Sequence, residues 1–503
     1  LIRVGVWLEL IGGSKMNFVE LLEKTSNKLT HTENGARAVN TTDNANLDLF
    51  ATIGALRTAD EERIKILFEK AYEEDPLSAV KILFYARDIR EGLGERRVFQ
   101  ILLKNLAEYH PEAVIPNIDF IGEYGRFDDW YYLIGTPAEE AMWTAMKRQL
   151  LEDLKNFQLG KPVSLFAKWV KTADSKVEET RKLGILTAEK LGYPVYNFKR
   201  IIRTLRKYID VTEIKMCGNN WDEIDYSAVP GRAMMKYRRA FDRHDTERFE
   251  KFINLALEGK ENIHSKTLYP YDIVEKILYG NEDSKVLEAQ WRNLPDYGVG
   301  DENMLVMADV SGSMYGRPMA TSVGLAIYFA ERNKGDYHNR FMTFSALPSI
   351  VHLEGETLAE KVACAVEADW GLNTNLEAAF DSILKTAVEN HVPEEEMPKS
   401  LIIISDMEFD SATYDSDWLF YETMKKKFKR NGYTIPNVVF WNVDSRHNAF
   451  HADKKREGVQ LLSGSAVTIF EHLDEGIGMT PVEMMRKIIE DERYACITIA
   501  EAV

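Results

Sequence analysis

The chain has 503 residues, 45% of them apolar and 28% charged, so it is globular and too long for one ordinary core. Its three cysteines (Cys217, Cys364 and Cys496) exclude a disulfide framework or a cysteine-rich zinc module and fit a reducing, cytoplasmic compartment. The formal charge of −17, from 63 Lys+Arg and 80 Asp+Glu, argues against a general coat for nucleic acid unless that charge is uneven.

It is uneven. Cut at Pro295, residues 1–295 hold 44 basic and 46 acidic side chains, net −2. Residues 296–503 hold 19 and 34, net −15. Within the first part, residues 161–215 carry 13 basic against 6 acidic side chains, net +7. Residues 1–15 precede Met16, and Arg3 and Glu9 break the apolar run that a signal peptide needs. They read as a non-native or disordered extension. Met16 is then the natural start, and Gly12-Gly13 lies in a translated ribosome-binding sequence of a bacterial or phage gene. No apolar run reaches the roughly 18–20 residues of a membrane span.

From residue 16 to 295 the pattern is helical. Ala79, Val80, Ile82, Leu83 and Phe84 recur at helical spacing, as do Phe99, Ile101, Leu102, Leu103 and Leu106. Pro111, Pro116, Gly135-Thr136-Pro137 and Gly160-Lys161-Pro162 punctuate the periodic segments. Helical hairpins in series imply an all-α stack of the HEAT-like kind, with repeats of roughly 40–47 residues. No clean repeat signature recurs, so a non-repeating helical domain fits as well.

Lys199, Arg200, Arg203, Arg206 and Lys207 fall on nearby turns of one predicted helix, with Tyr196, Phe198 and Tyr208 interleaved. Lys236, Arg238, Arg239, Arg243 and Arg248 form a second cluster. Such a face can hold phosphates by charge and stack bases, so structured or single-stranded RNA is one expectation. A plain solvated helix face is the other.

Beyond Pro295 strands and helices alternate. Strands are expected over 304–308, 341–344, 350–353, 401–404, 438–441 and 458–462. Helices are expected over about 319–332, 375–388, 418–428 and 481–489. This reads as a doubly wound, mostly parallel α/β sheet, whose ligands sit at the carboxyl ends of strands. Asp309-Val310-Ser311-Gly312-Ser313 follows the first strand and Ser405-Asp406 follows the fourth, while Trp370-Gly371-Leu372-Asn373-Thr374-Asn375 opens a helix. Three loops therefore bring Asp309, Ser311, Ser313, Thr374 and Asp406 to one edge. Carboxylates and hydroxyls without His or Cys select a hard divalent cation, Mg²⁺ first and Mn²⁺ or Ca²⁺ next. A capped turn without metal is the plain alternative, since Ser and Asp also cap helices.

The set Asp309-x-Ser311-x-Ser313, Thr374 and Asp406 resembles the metal-ion-dependent adhesion site of the von Willebrand factor A domain, a Rossmann-like fold. The resemblance implies that Ser311, Ser313 and Thr374 ligate the metal directly or through water. It implies that Asp309 and Asp406 hold the metal's waters and balance its charge, with one position open for an acidic side chain of a partner. A helical repeat domain followed by an A domain resembles the TROVE proteins of the Ro group, which form an RNA-binding helical ring closed by the A domain. Closer is the resemblance to the family called domain of unknown function 2828. It is carried by Asn34-Gly35-Ala36 with Asp48-Leu49-Phe50, by Arg87-Asp88-Ile89-Arg90-Glu91-Gly92-Leu93-Gly94-Glu95-Arg96, and by Tyr124-Gly125-Arg126-Phe127-Asp128-Asp129. Ser405-Asp406-Met407-Glu408-Phe409-Asp410 and Phe440-Trp441-Asn442 complete it. An A domain at −15 repels RNA, so any RNA falls to the helical part.

Other motifs are set aside. Gly312 and Gly316 lack the Gly-Lys-Ser/Thr ending of a phosphate loop. Gly92-x-Gly94 lies between helices rather than after a strand. His447 and His451, without a third ligand, read as surface residues. Glu408, Asp410, Asp415 and Asp417 read equally as a device that concentrates cations and as a solvated acidic loop. No nucleophile–base pair stands out. The first functional expectation is a non-enzymatic, Ro-like scaffold that binds RNA with its helical domain and a divalent cation plus an acidic partner group with its A domain. The second is a protein–protein interaction module with metal-dependent adhesion and no RNA role.

Overall fold

The computed structural model describes residues 27–280, 285–296, 303–343, 348–368, 374–410, 420–466, 468, 473 and 476–500. The expectations for residues 1–15, for 370–373 and for Asp415 and Asp417 lie outside them.

Two helical residues, 27 and 28, open the described chain, and a hairpin follows where helix was expected. Strands β1 (Leu29–His31) and β2 (Arg37–Val39) pair antiparallel, with Leu29 opposite Val39 and His31 opposite Arg37. Asn34-Gly35 sits in the turn, where Gly35 has φ 89°, a conformation glycine adopts without steric cost. Helices of eight residues or more follow: α1 (Ala45–Ile53), α2 (Glu61–Glu74), α3 (Pro76–Arg87), α4 (Arg97–Tyr109), α5 (Glu139–Gln158), α6 (Glu178–Lys190), α7 (Val195–Tyr208), α8 (Gly231–His244), α9 (Thr246–Leu257), α10 (Pro270–Leu278) and α11 (Lys285–Arg292). Local chemistry sets their ends. The Asp60 carboxylate accepts from the backbone N–H groups of Glu62 and Arg63 to start α2. Asp75 ends α2 and caps α3, which has Pro76 at its first position.

The second part is a six-stranded sheet in the order β5-β4-β3-β6-β7-β8. Its strands are β3 (Met304–Ala308), β4 (Arg340–Thr343), β5 (Ile350–His352), β6 (Ser400–Ser405), β7 (Asn437–Asn442) and β8 (Val459–Ser463). Every described pairing is parallel except that of β5 with β4. Helices α12 (Arg317–Arg332), α13 (Leu358–Glu367), α14 (Leu376–Asn390), α15 (Phe420–Arg430) and α16 (Pro481–Ile489) complete it. β3 and β6 are buried at every position, which is why both read as continuous apolar runs. The chain winds outward from β3 to β4 and β5, then returns to lay β6 on the other side of β3. That reversal places a crevice at the carboxyl ends of β3 and β6. The architecture is α plus α/β, as the alternation of elements implied.

The hydrophobic core crosses the cut at Pro295. One cluster of buried residues runs from Val39 through to Ile497. Helix α1 packs on β8 and α10 packs on α12. Contact at the first of these is backbone-close: a Cβ on Gly54 would lie 2.6 Å from the Ser463 carbonyl oxygen. A smaller second cluster, which includes Tyr226, Met234, Phe241, Phe249 and Ala289, lies within the helical part. The tail returns to the helical part as well, where the Asn117 carboxamide oxygen accepts from Thr498 N at 3.0 Å.

Candidate metal centre

β3 and β6 run side by side, and the ladder continues one residue past β3, where Asp309 N donates to the Ile404 carbonyl at 3.0 Å. This holds the Asp309 carboxylate at the sheet's edge. One carboxylate oxygen accepts from Ser311 N at 2.8 Å, a turn that Asp favours. The other accepts from the Ser405 hydroxyl, at the end of β6, at 2.7 Å. The Ser311 and Ser313 hydroxyls are 3.0 Å apart. Asp406 follows Ser405, and its Oδ1 accepts from Glu408 N at 3.2 Å. Between them Met407 has φ 67°, a strained conformation for a residue with a side chain. It is held there by Met407 N donating to Ser405 Oγ at 3.1 Å and by its carbonyl, 3.0 Å from His451 Nε2.

Asp309, Asp406 and Thr374 are buried, Ser311 is half-buried and Ser313 is exposed. The mouth therefore opens on the serine side. Burial, and after it the charge of Asp406, pushes the Asp309 carboxyl up to about 6. Four of the five expected residues thus meet at the crevice. Thr374 sits beside them on the segment after Asp406. Its N donates to Asp410 Oδ2 at 2.8 Å and its hydroxyl lies 3.3 Å from the Glu408 carbonyl. Asp309, Asp406 and the hydroxyls of Ser311 and Ser313 are the groups that could hold a hard cation, since every donor is oxygen.

Further side chains reach this mouth, and their roles were not legible in the sequence. The hairpin turn lies on the segment after β6. Thr32 Oγ1 donates to the Phe409 carbonyl at 2.6 Å, Glu33 N to Glu408 Oε2 at 2.6 Å, and Asn34 Nδ2 to the Glu408 carbonyl at 2.6 Å. Asn34 Nδ2 also stands 3.4 Å from Thr374 Oγ1. Arg446, after β7, pairs with Asp406 at 2.5 Å and with Glu33 at 2.8 Å. Asn34-Gly35, a strong turn dipeptide, was the one signal that could have found the hairpin. Two expectations need correction. Glu408 is buried, not part of a solvated loop, because Glu33 N and His447 Nδ1 partner its carboxylate. His451 is buried rather than on the surface, and that burial pushes its imidazole down to about 4.

On α7 the basic residues divide. Arg200, Arg203 and Lys207 are exposed and Lys199 is half-buried, while Tyr196 is 75% exposed. Arg206 turns inward and donates to the carbonyls of Ala167 and Val170 at 2.7 and 2.9 Å. In the second cluster Arg248 likewise bonds the carbonyls of Asp222 and Ile224.

Comparison with known proteins agrees with this two-part layout. The model of the domain of unknown function DUF2828 matches residues 32–131 and 193–297, within the hairpin and helical part. That of DUF7788, also a domain of unknown function, matches residues 303–493, the sheet part. The uncharacterised protein L728 of Acanthamoeba polyphaga mimivirus is 30% identical over 506 residues, covering 92% of this chain and 87% of the viral one. The chain belongs to the family of that viral protein. No solved structure matches significantly.

The stretches that pointed to the DUF2828 family form a buried charge joint in the helical part. Arg87 and Asp129 pair at 2.8 Å with both side chains buried. Asp88 is buried and accepts from Arg493 Nη2 at 2.8 Å and from the Tyr494 hydroxyl at 3.2 Å, which anchors the tail. Asp128 takes Arg126 at 2.7 Å, Arg96 at 3.2 Å and Lys171 at 3.3 Å.

Proposed function

We propose that this protein is a non-enzymatic scaffold whose sheet part, like a von Willebrand factor A domain, takes up a divalent cation and through it an acidic group of a partner. Mg²⁺ is the first choice of ion. The reading rests on one observation above the others: two buried carboxylates, Asp309 and Asp406, flank the Ser405 hydroxyl at the reversal point of the sheet. Two buried charges so close are costly, and the Arg446 guanidinium offsets that cost at Asp406 but is not paired with Asp309. The hydroxyls of Ser311 and Ser313 would face the ion on the open side, with Thr374 reaching it through water. The ion would offer a coordination position to a carboxylate. Thermal unfolding with and without Mg²⁺ tests this. Wild type gains about 2.7 kcal/mol at a hundredfold excess over Kd, while Asp309→Ala and Asp406→Ala gain nothing. Equal stabilisation of all three refutes the reading.

For the helical part, HEAT-like and Ro-like in this proposal, the exposed Arg200, Arg203 and Lys207 beside Tyr196 favour RNA. Replacing the three by Glu should lower the salt slope of single-stranded RNA binding by about two, at roughly 0.7 per phosphate contact. An unchanged slope moves the helical part to the protein-binding reading.

A further inference from the structure

The hairpin turn and the loop after β7 meet at the mouth of the candidate site through one guanidinium. Arg446 Nη2 is 2.5 Å from Asp406 Oδ2, and Arg446 Nη1 is 2.8 Å from Glu33 Oε2. A single planar cation therefore separates the two carboxylates. Its third corner is poorly served: Nε of Arg446 is buried with no hydrogen-bond partner among the described residues. A buried donor left unpaired costs free energy, which offsets part of what the two ion pairs contribute. The hairpin, by contrast, is firmly placed. Backbone and side-chain bonds from Thr32, Glu33 and Asn34 to Glu408 and Phe409 fix the backbone of Glu33 beside the strand ends. They leave its carboxylate, 42% exposed, turned toward the mouth.

We propose that Glu33 is the internal acidic ligand of this site and that Arg446 is the cation the site exchanges for a metal ion. This rests on the metal reading above. When a divalent ion binds, Asp406 and Glu33 pass from the guanidinium to the ion. An external carboxylate then gains the ion only by displacing Glu33, so the hairpin competes with the partner for the same position. Charge favours the exchange. Asp309, Asp406 and Glu33 bring up to three negative charges against one positive charge on Arg446. A divalent ion takes carboxylate oxygens directly, whereas a guanidinium only donates hydrogen bonds. The ion and the guanidinium also repel each other at this range, so one leaves as the other arrives.

The two residues must then act in opposite directions, which a merely structural role would not produce. Mg²⁺ is titrated calorimetrically into the full chain as wild type, Glu33→Gln, Arg446→Gln and Asp309→Ala. Glu33→Gln is expected to bind about 10–100-fold more weakly, the range for losing a group that supports a metal site. Arg446→Gln is expected to bind severalfold more tightly, and Asp309→Ala not at all. Affinity in Glu33→Gln equal to wild type, or affinity in Arg446→Gln equal or weaker, overturns the proposal and leaves the metal site standing. If Glu33→Gln does not fold, the Arg446→Gln result decides alone. No binding by wild type overturns the metal reading and this proposal together.

Discussion

His451 shows how burial at one residue sets a pH response. Its ring is packed against Phe409 and Phe440, with centroids 4.5 and 5.3 Å away, and Nε2 meets the Met407 carbonyl. The imidazole is held down to about 4 in the folded chain, below its ordinary value of 6.5. Between those values the unfolded chain binds the extra proton and the folded chain does not, so stability falls as pH drops from 6.5 toward 4. The full loss is about 3 kcal/mol, because each tenfold rise in proton concentration between the two values favours the unfolded chain by about 1.4 kcal/mol. Urea melts from pH 7 to 4.5 should show most of this loss in wild type, and His451→Gln should flatten it by a similar amount. An unchanged pH slope in the variant would contradict the burial argument. At this scale Asp309, Ser311, Ser313 and Asp406 were legible because each stands directly after a strand whose apolar run is unmistakable. Arg446 and Glu33 were not. They come from loops far off in the chain, and nothing local marks an arginine or a glutamate as facing another loop's aspartate.

Elements divide by length and burial. β3, β6 and β7 were readable because parallel strands covered on both faces are uninterrupted apolar runs. The hairpin was not, since three-residue strands are too short to display alternation. The end of α3 is a joint built on buried charge. There Asp88, fully buried, anchors Arg493 and Tyr494 of the tail, and Arg87 pairs with Asp129. Breaking a buried pair on one side leaves an uncompensated charge, at about 3–5 kcal/mol. Asp88→Ala should lose that much in denaturant unfolding, and proteolysis should reach the tail first. A loss under about 1 kcal/mol, the range of exposed pairs, would mean that Arg493 is solvated in solution.

Across the whole molecule, charge and packing draw different boundaries. The cut at Pro295 separates −2 from −15, and the change of architecture falls there too. The core does not respect it, because α1 covers β8 and α10 covers α12. Charge arithmetic could locate the acidic sheet part but not the apolar faces it shares with the helices. Residues 296–503 produced alone should therefore expose those faces, bind a hydrophobic dye and unfold without a sharp transition. A sharp, dye-free transition would show that the sheet part is self-sufficient. Shared packing is also what allows a turn of the helical part to stand at the sheet's candidate metal site, so that a cation bound there would tie the two parts together.

Anomalous diffraction from crystals of the full chain soaked in Mn²⁺ tests the metal site most directly. A single peak bounded by Asp309, Ser311, Ser313 and Asp406, with the Arg446 guanidinium moved off Asp406, is the expected result. An empty crevice at saturating Mn²⁺, with Arg446 still paired to Asp406, would contradict it.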